Sequence, residues 1–461
     1  MKILQVNAVD IGGGAARIAW DLFDAGRQRG HDSWFAVGEK RGNHPDVLEI
    51  QHAKYRSRWA RQLLSFAAKM DPLIGRVRGA GAFKKFLQRS LGEPRRWFEV
   101  NSGKEDFAFP GTWKLLDLPP DPPEIVHGHN LHPNYFDLRY LPRLTRQLPV
   151  LLTLHDAWLL SGHCAHSLSC DRWLHGCGEC PDLNLYPAVK KDATAFNWQR
   201  KRAIFRASRL FIATPSNWLM EKVNQSILAD AVIESRVIHN GIDRSIFKPD
   251  DKETARAALG MRPGTNILLF AANGIRSNSW KDYRMLRQVV SRVADRMPDR
   301  EIEFIALGEG AEDDRIGRVR IRFVPFQSDP SVVAMYYQAA DIFLQASLAD
   351  TYPTTVLESM ACGTPVVSTG VGGIPEQIVG LPETFGAYAN RNADQPNGVL
   401  IAPGDVEAMT SMVVRLMNDP ELLHLLSANS VKAAEKFDRR KQIDVYFDWY
   451  QEIKERSIWP G

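Results

Sequence analysis

Two carboxylates eight positions apart are the first residues whose spacing could do chemistry. In ADTYPTTVLESMACGTPVVS, residues 349–368, Asp350 precedes a Thr-Tyr-Pro turn and Glu358 falls within a run of helix formers. On one continuous helix eight residues leave side chains roughly 80° apart. The pair can therefore share a site only with Asp350 on a loop and Glu358 on the helix that follows. Pro353 suits a first helical position, and Gly363 followed by Pro365 stops the turn. Such a start offers amides around Thr354, Thr355 and Val356 to an anion, with Glu358 just over a turn further on to take hydroxyls beside it. A diphosphate flanked by two polyols has that layout.

Other segments offer matching chemistry. ANGIRSNSWKDYRML places Arg276 and Lys281 on a polar loop after a strand-like run. Cations there stabilise a diphosphate leaving group electrostatically, without covalent chemistry. ALGEG, with Gly308, repeats the strand-to-turn design. In IGGGAARIAW, Gly13 and Gly14 join a strand to a helix, where small residues let backbone amides approach a phosphate. As a dinucleotide fingerprint the segment fails: a frame starting at Gly12 needs glycine at Arg17, which argues against a nicotinamide oxidoreductase even though Glu39 could serve as the ribose acid. Four of the five cysteines, Cys164, Cys170, Cys177 and Cys180, crowd GHCAHSLSCDRWLHGCGECP together with His163, His166 and His175. In a reducing compartment metal ligation is favoured over disulfides, and tetrahedral zinc with four cysteine ligands is the natural arrangement; reduced thiols in a packed insertion are the alternative. Cys362 stands apart as a small core residue.

The elements that must position these residues follow from periodicity. KILQVNAV, AARIAWDLFDAGRQRG and DSWFAVG alternate strand and helix, and EIVHGHN, VLLTLHD, RLFIATPS and SRVIHNG add strands. NILLFAA, EIEFIALG, IRFVPF, ADIFLQAS and PVVSTG restart the alternation. This predicts an α/β protein with two doubly wound, Rossmann-like domains facing across a cleft. The boundaries expected are a first domain over 1–243, a linker over 244–262, a second domain over 263–438 and a closing helix over 439–461. Two insertions, 54–96 and 160–182, interrupt the first domain. The Tyr446, Phe447, Trp449 and Tyr450 stripe on the closing helix reads as packing surface.

At 461 residues with 44% apolar content the chain suits two or more packed domains, not disorder. No apolar run reaches the ~18 residues of a membrane span, and Gln5, Asn7 and Asp10 interrupt the start, so a cytoplasmic location is expected. The formal charge of +4 is unevenly spread: residues 54–96 hold twelve Lys or Arg against Asp71 and Glu93. Trp59, Leu63, Phe66 and Met70, then Phe83, Phe86, Leu87 and Leu91, recur there at helical spacing. Two amphipathic helices with solvated basic faces are expected. Such faces also suit an anionic membrane surface. No groove-binding or base-stacking motif supports a nucleic-acid partner.

Taken together, FVPFQSDPSVVAMYYQAADIFLQASLADTYPTTVLESMACGTPVVSTGVGGIPEQI, the glycine loop, TLHD, PSNW and HNGID resemble the retaining glycosyltransferases of the GT-B fold, family 4, over nearly the whole chain. The resemblance implies transfer of a sugar from a UDP- or GDP-linked donor to a lipid-linked or polysaccharide acceptor, with no metal needed for catalysis. It implies that Glu358 holds the nucleotide ribose and Asp350 the donated sugar's hydroxyls. Lys281, Arg276, Gly308, Phe326 and the amides near Gly13 and Thr355 would line the donor, and His155 would face the transferred sugar. The chain departs from the family in having Asp350 for the usual glutamate and Tyr352-Pro353 for Phe-Gly. Some bacterial polysaccharide glycosyltransferases carry a similar cysteine-rich insertion after their His-Asp motif. A nucleotide-sugar epimerase of the same fold, or a non-catalytic carbohydrate- or membrane-surface-binding protein, are the competing readings.

Overall fold

A computed structural model of the chain describes residues 1–69, 77, 81, 84, 91–384 and 395–456. These form two compact units: Met1–Thr214 with Leu219–Val237 and Tyr446–Gly461, and Pro215–Trp218 with Ile238–Val445.

The first unit is built on seven parallel strands: β1 (Lys2–Val9), β2 (Asp32–Glu39), β3 (Val47–Glu49), β4 (Ile125–His129), β5 (Val150–Thr153), β6 (Leu210–Thr214) and β7 (Val232–Val237). Their order is β3-β2-β1-β4-β5-β6-β7. The chain leaves β1 in one direction across the sheet and returns through β4 in the other. The switch point at the carboxyl ends of β1 and β4 is where such a sheet binds ligands.

The second unit repeats the plan with β8 (Asn266–Ala271), β9 (Ile302–Leu307), β10 (Asp314–Ile316), β11 (Val319–Val324), β12 (Ile342–Gln345), β13 (Val366–Thr369) and β14 (Gly398–Ile401). The order is β10-β11-β9-β8-β12-β13-β14, with only β10 antiparallel. Its switch point therefore lies between β8 and β12, which pair through Ile342 with Leu268 and Phe343 with Leu269. Strands such as NILLFA and IEFIAL read as continuous apolar runs because the sheet is covered on both faces.

The strands expected from the sequence are present, and three more appear. β3 and β10 are three residues long, too short to show a period, and β14 follows a stretch with no apolar alternation of its own. The stretch 244–262, read as a linker, instead carries the helix Lys252–Ala258, which Asp251 caps by accepting from the Thr254 amide. That stretch belongs to the second unit, where Arg256 donates to Asp341 Oδ2 (2.8 Å) and to the Ala339 carbonyl (2.9 Å). The closing helix runs Arg439–Glu455. Of the two basic helices, Arg58–Ala68 is present with Trp59 and Phe66 exposed. Met70, Phe83, Phe86 and Leu87 lie outside the described residues. A further short helix, Pro94–Asn101, shows Trp97 and Phe98 to solvent. Among the described residues no helix is long and apolar enough to cross a membrane.

Candidate functional site

In the second unit the sequence places a cation, two carboxylates and a helix start at the switch point. Lys281 ends the loop after β8, one residue before Asp282, which caps the helix Tyr283–Arg296 through the Met285 amide (2.9 Å). The Lys281 ammonium donates to Asp350 Oδ2 at 2.5 Å and to Ser347 Oγ at 3.2 Å. Ser347 is held in turn by Thr369, whose hydroxyl accepts from the Ser347 amide and donates to its carbonyl, both at 2.8 Å. Both members of the Lys281–Asp350 pair are mostly buried. Asp350 is thus on a loop and Glu358 on the helix Thr354–Ala361, the split the spacing required. Pro353 is the residue before that helix, not its first, and caps it without a side-chain hydrogen bond.

Glu358 accepts a hydrogen bond from the Tyr337 hydroxyl at 3.0 Å. Burial, with the Glu358 carboxylate beside it, pushes the Tyr337 phenol well above its usual range, so it stays a donor. The Thr355 hydroxyl, next to the helix start, is buried and makes no hydrogen bond with the described residues. Val356 packs into the core. Two glycines fix the loop that carries Asp350. A Cβ on Gly372, whose φ is 58°, would lie 1.7 Å from the Asp350 carbonyl oxygen, and one on Gly373 would lie 2.1 Å from that of Thr351. The GGIPE motif is therefore a backbone clamp on residues 350–351. Its Glu376 accepts from the Asn217 and Trp218 amides, both at 2.8 Å.

Arg276 stands apart from this group. Its guanidinium is over half exposed and donates to Glu309 Oε1 at 2.6 Å, holding the Glu309 carboxyl below its usual range. Gly308 precedes that acid with φ 121°, and a Cβ there would lie 2.1 Å from the Ala272 carbonyl oxygen, so the loops after β8 and β9 touch only because it is glycine. The Phe326 ring is 55% exposed.

In the first unit, Gly12 and Gly13 have φ of 113° and 77°, and the helix Gly14–Gln28 begins directly after them. A Cβ on Gly13 or Gly14 would meet nothing within 4 Å, so the loop is open to whatever approaches the helix start. Glu39, weighed as a ribose acid, is instead paired with Arg41 at 3.0 Å.

His155 follows β5 and forms one end of a buried chain of hydrogen bonds. Its Nε2 lies 3.1 Å from His129 Nδ1, and His129 Nε2 lies 3.0 Å from Gln5 Oε1. Gln5 Nε2 donates to the Tyr450 hydroxyl at 3.2 Å, which lies 2.6 Å from His127 Nδ1. His127 Nε2 reaches Thr153 Oγ1 at 2.7 Å, and Thr153 reaches the Tyr446 hydroxyl at 2.9 Å. With the Gln5 oxygen toward His129, each link pairs one donor with one acceptor and the chain runs head to tail, which gives His155 its proton on Nε2. Burial pushes His155 down to about 4 and His127 and His129 well below their usual range, so all three are neutral near pH 7. The adjacent Asp156 accepts from His132 Nε2 at 2.7 Å and from the Trp158 amide at 2.9 Å. Burial alone would raise the Asp156 carboxyl, but His132 and these hydrogen bonds hold it low.

Sequence reasoning found His155 but not its partners. The signal was the two-residue spacing of His127 and His129 in VHGHN, which puts both on one face of β4. Nor are Tyr446 and Tyr450 packing surface only, since their hydroxyls are members of the chain. Cys164, Cys170, Cys177 and Cys180 lie in the first unit, carry free thiols and line one small cavity.

Residues 12–246 match the sequence profile described as Glycosyltransferase Family 4, and residues 265–419 that of Glycosyl transferases group 1. The chain belongs to the family 4, group 1 glycosyltransferases. The putative colanic acid biosynthesis glycosyl transferase WcaC of Escherichia coli (strain K12) is 25% identical over 394 residues, 80% of this chain and 83% of that one. Among solved structures, sucrose-phosphate synthase from Thermosynechococcus elongatus superposes with a TM-score of 0.60 at 17% identity, covering 98% of this chain and 99% of that one. HepE of Anabaena in complex with UDP-glucose gives 0.58 at 13% identity, covering 98% and 100%. These likenesses establish the GT-B fold.

Proposed function

We propose that this glycosyltransferase takes a sugar from a UDP- or GDP-linked donor and passes it, with retained configuration, to a lipid-linked or polysaccharide acceptor in exopolysaccharide or lipopolysaccharide biosynthesis. The observation that carries the donor half is the grouping at the second unit's switch point. The Lys281 ammonium and the start of the helix Thr354–Ala361, with its unpaired Thr355 hydroxyl, suit a diphosphate. Glu358, a turn further in, suits the ribose diol. Asp350 and Arg276 are assigned to the donor sugar and the diphosphate, and His155 to a hydroxyl of the transferred sugar.

The hydrogen bonding of the site supports transfer over acid–base hydrolysis. Asp350 is tied to Lys281 and Glu358 accepts from Tyr337, so neither is presented as a general acid. Stabilisation of the leaving diphosphate is the chemistry on offer, and that diphosphate takes the acceptor's proton as it leaves. The likeness to HepE, solved with UDP-glucose, and to WcaC supports the donor and the pathway class. An anionic lipid surface as the place of work is supported by Trp59, Phe66, Trp97 and Phe98, exposed among Arg58, Arg61 and Arg95; each basic residue near such a surface adds about 1 kcal/mol.

The test is a mass-spectrometric screen of nucleotide sugars for release of nucleoside diphosphate, with NMR of the anomeric proton in any glycoside formed. Release with at least one common donor is expected, and Glu358→Ala should abolish it. A carboxylate's two charge-assisted hydrogen bonds, each about 1.5–3 kcal/mol, correspond to a ~10²- to 10⁴-fold loss of donor affinity. Silence with every donor, or unchanged binding by the variant, overturns the reading.

A further inference from the structure

The cysteine insertion of the first unit is not used by the donor chemistry, yet it gathers four thiols around one small cavity. Cys164, Cys170, Cys177 and Cys180, with His163 and Thr194, line a single cavity of about 20 Å³. That volume suits one ion or one water and little else. We propose that these four thiols bind a single Zn²⁺ in a tetrahedral, all-cysteine site that staples the insertion following the His155–Asp156 turn.

Three features of the chain favour this ligand. The donor set is all sulfur, the class that selects zinc among the abundant divalent ions. The Cys177-Gly178-Glu179-Cys180 knuckle is held in an unusual backbone: Gly176, Cys177, Gly178 and Glu179 all have positive φ, at 130°, 55°, 89° and 45°. The two non-glycine residues in that region are strained, and such strain persists where surrounding contacts dictate the turn. The turn brings Cys177 Sγ under the Gly162 amide, which donates to it at 3.3 Å. His163, meanwhile, donates from Nδ1 to the Pro187 carbonyl at 3.0 Å, which leaves Nε2 facing the Cys180 sulfur at 3.3 Å. A histidine whose Nδ1–H is held by a backbone carbonyl is oriented as metal-associated histidines are, with its other nitrogen turned toward the site.

As the side chains stand, no group of three or more His, Cys, Asp or Glu among the described residues is arranged to hold a metal ion. Closure on zinc therefore takes rearrangement of the four thiols that line this one cavity. Binding exchanges four S–H bonds for four Zn–S bonds and frees four protons. Solvent takes these protons. The ion joins Cys164 to the distant knuckle. It thereby fixes the segment that Ala157 and Ala165 already close through the Ala157 amide to Ala165 carbonyl hydrogen bond at 2.8 Å.

The full chain, purified without chelator, should carry one zinc per molecule by inductively coupled plasma mass spectrometry. Its four cluster thiols should resist alkylation until a chelator is added. Cys170→Ser and Cys180→Ser should each lose the metal, while Cys362→Ser, in the other unit, keeps it. The wild-type stoichiometry decides even if the serine variants fail to fold. A metal-free chain with rapidly alkylated thiols, or one lighter by two hydrogens per cystine, overturns the proposal. Neither readout involves sugar transfer, so the outcome is independent of the proposed activity.

Discussion

Tyr450→Phe removes one oxygen atom from the interior of the first unit, and the hydrogen-bond chain fixes what that should do. Tyr450, Gln5 and His127 are all fully buried. The phenol accepts from Gln5 Nε2 and donates to His127 Nδ1, so its loss leaves one donor and one acceptor without partners. Each unsatisfied buried group costs about 1–3 kcal/mol, and the ring itself still fills its space, giving about 2–6 kcal/mol in all. His127 cannot relieve the loss by taking a proton, because burial has already driven it far below its usual range. At roughly 2–4 °C per kcal/mol for a unit of this size, the first unit's melting transition should fall by about 5–20 °C. Hydrogen-exchange protection should drop in peptides covering β1 and β4. Tyr446→Phe is the internal comparison: among the described residues that hydroxyl meets only Thr153 Oγ1, at the end of the chain, and its removal should cost about 1 kcal/mol. Thermal unfolding with exchange mass spectrometry reads both variants. Equal melting of Tyr450→Phe and the parent, or equal losses for the two variants, would refute the head-to-tail chain as a stabilising element.

The same chain sets a pH dependence. His127, His129 and His155 have folded-state values below the ordinary ~6.5, so the unfolded state binds more protons and stability falls as pH drops from about 6.5 toward the folded value of about 4 for His155. Each histidine contributes a slope of about 1.4 kcal/mol per pH unit, about 4 kcal/mol for three. Urea midpoints of the first unit at pH 7.5, 6 and 5 should fall steeply, and a flat series would contradict neutral burial. In the second unit, Gly372→Ala should dislodge the Asp350 loop, since the new methyl would overlap the Asp350 carbonyl. Gly404→Ala, with φ 79° and nothing within 4 Å, should bring only the conformational strain of about 1–2 kcal/mol. Calorimetric titration with UDP and GDP, alongside melting curves, separates the two; a Gly372→Ala protein with full nucleotide affinity would remove the clamp from the argument.

The two sheets were legible because buried parallel strands are continuous apolar runs and their order follows from alternation with helices. The loop-and-helix split of Asp350 and Glu358 was legible too, since helical geometry forbids the alternative. The Lys281–Asp350 pair was not: its members are 69 residues apart, and only the β8–β12 pairing makes them neighbours. The role of Gly372 was hidden for a similar reason, because a glycine's meaning lies in the backbone it touches. The polar chain behind His155 was half visible in the spacing of VHGHN. Its other half comes from Gln5 on β1 and from tyrosines more than 300 residues later, which periodicity alone reads as apolar surface.

The polar groups at the two switch points differ in electrostatic character, and depth explains the difference. In the first unit the polar groups sit within the strands: Gln5 is the register partner of His127 on β4, and both are fully buried. A charge there would be desolvated at a cost of several kcal/mol, so the groups are neutral and satisfy one another by hydrogen bonds. In the second unit Lys281 and Asp350 sit on loops beyond the strand ends, with side chains 13% and 16% exposed, where each meets both water and the opposite charge. An ammonium has three N–H donors, and Asp350 and Ser347 use two of them. Under the proposed function the third is the one that takes a phosphate oxygen while Asp350 still holds the cation in place. The short acid at position 350 thus holds the cation in addition to the sugar contact proposed for it, and the Gly372–Gly373 clamp fixes the backbone from which it reaches.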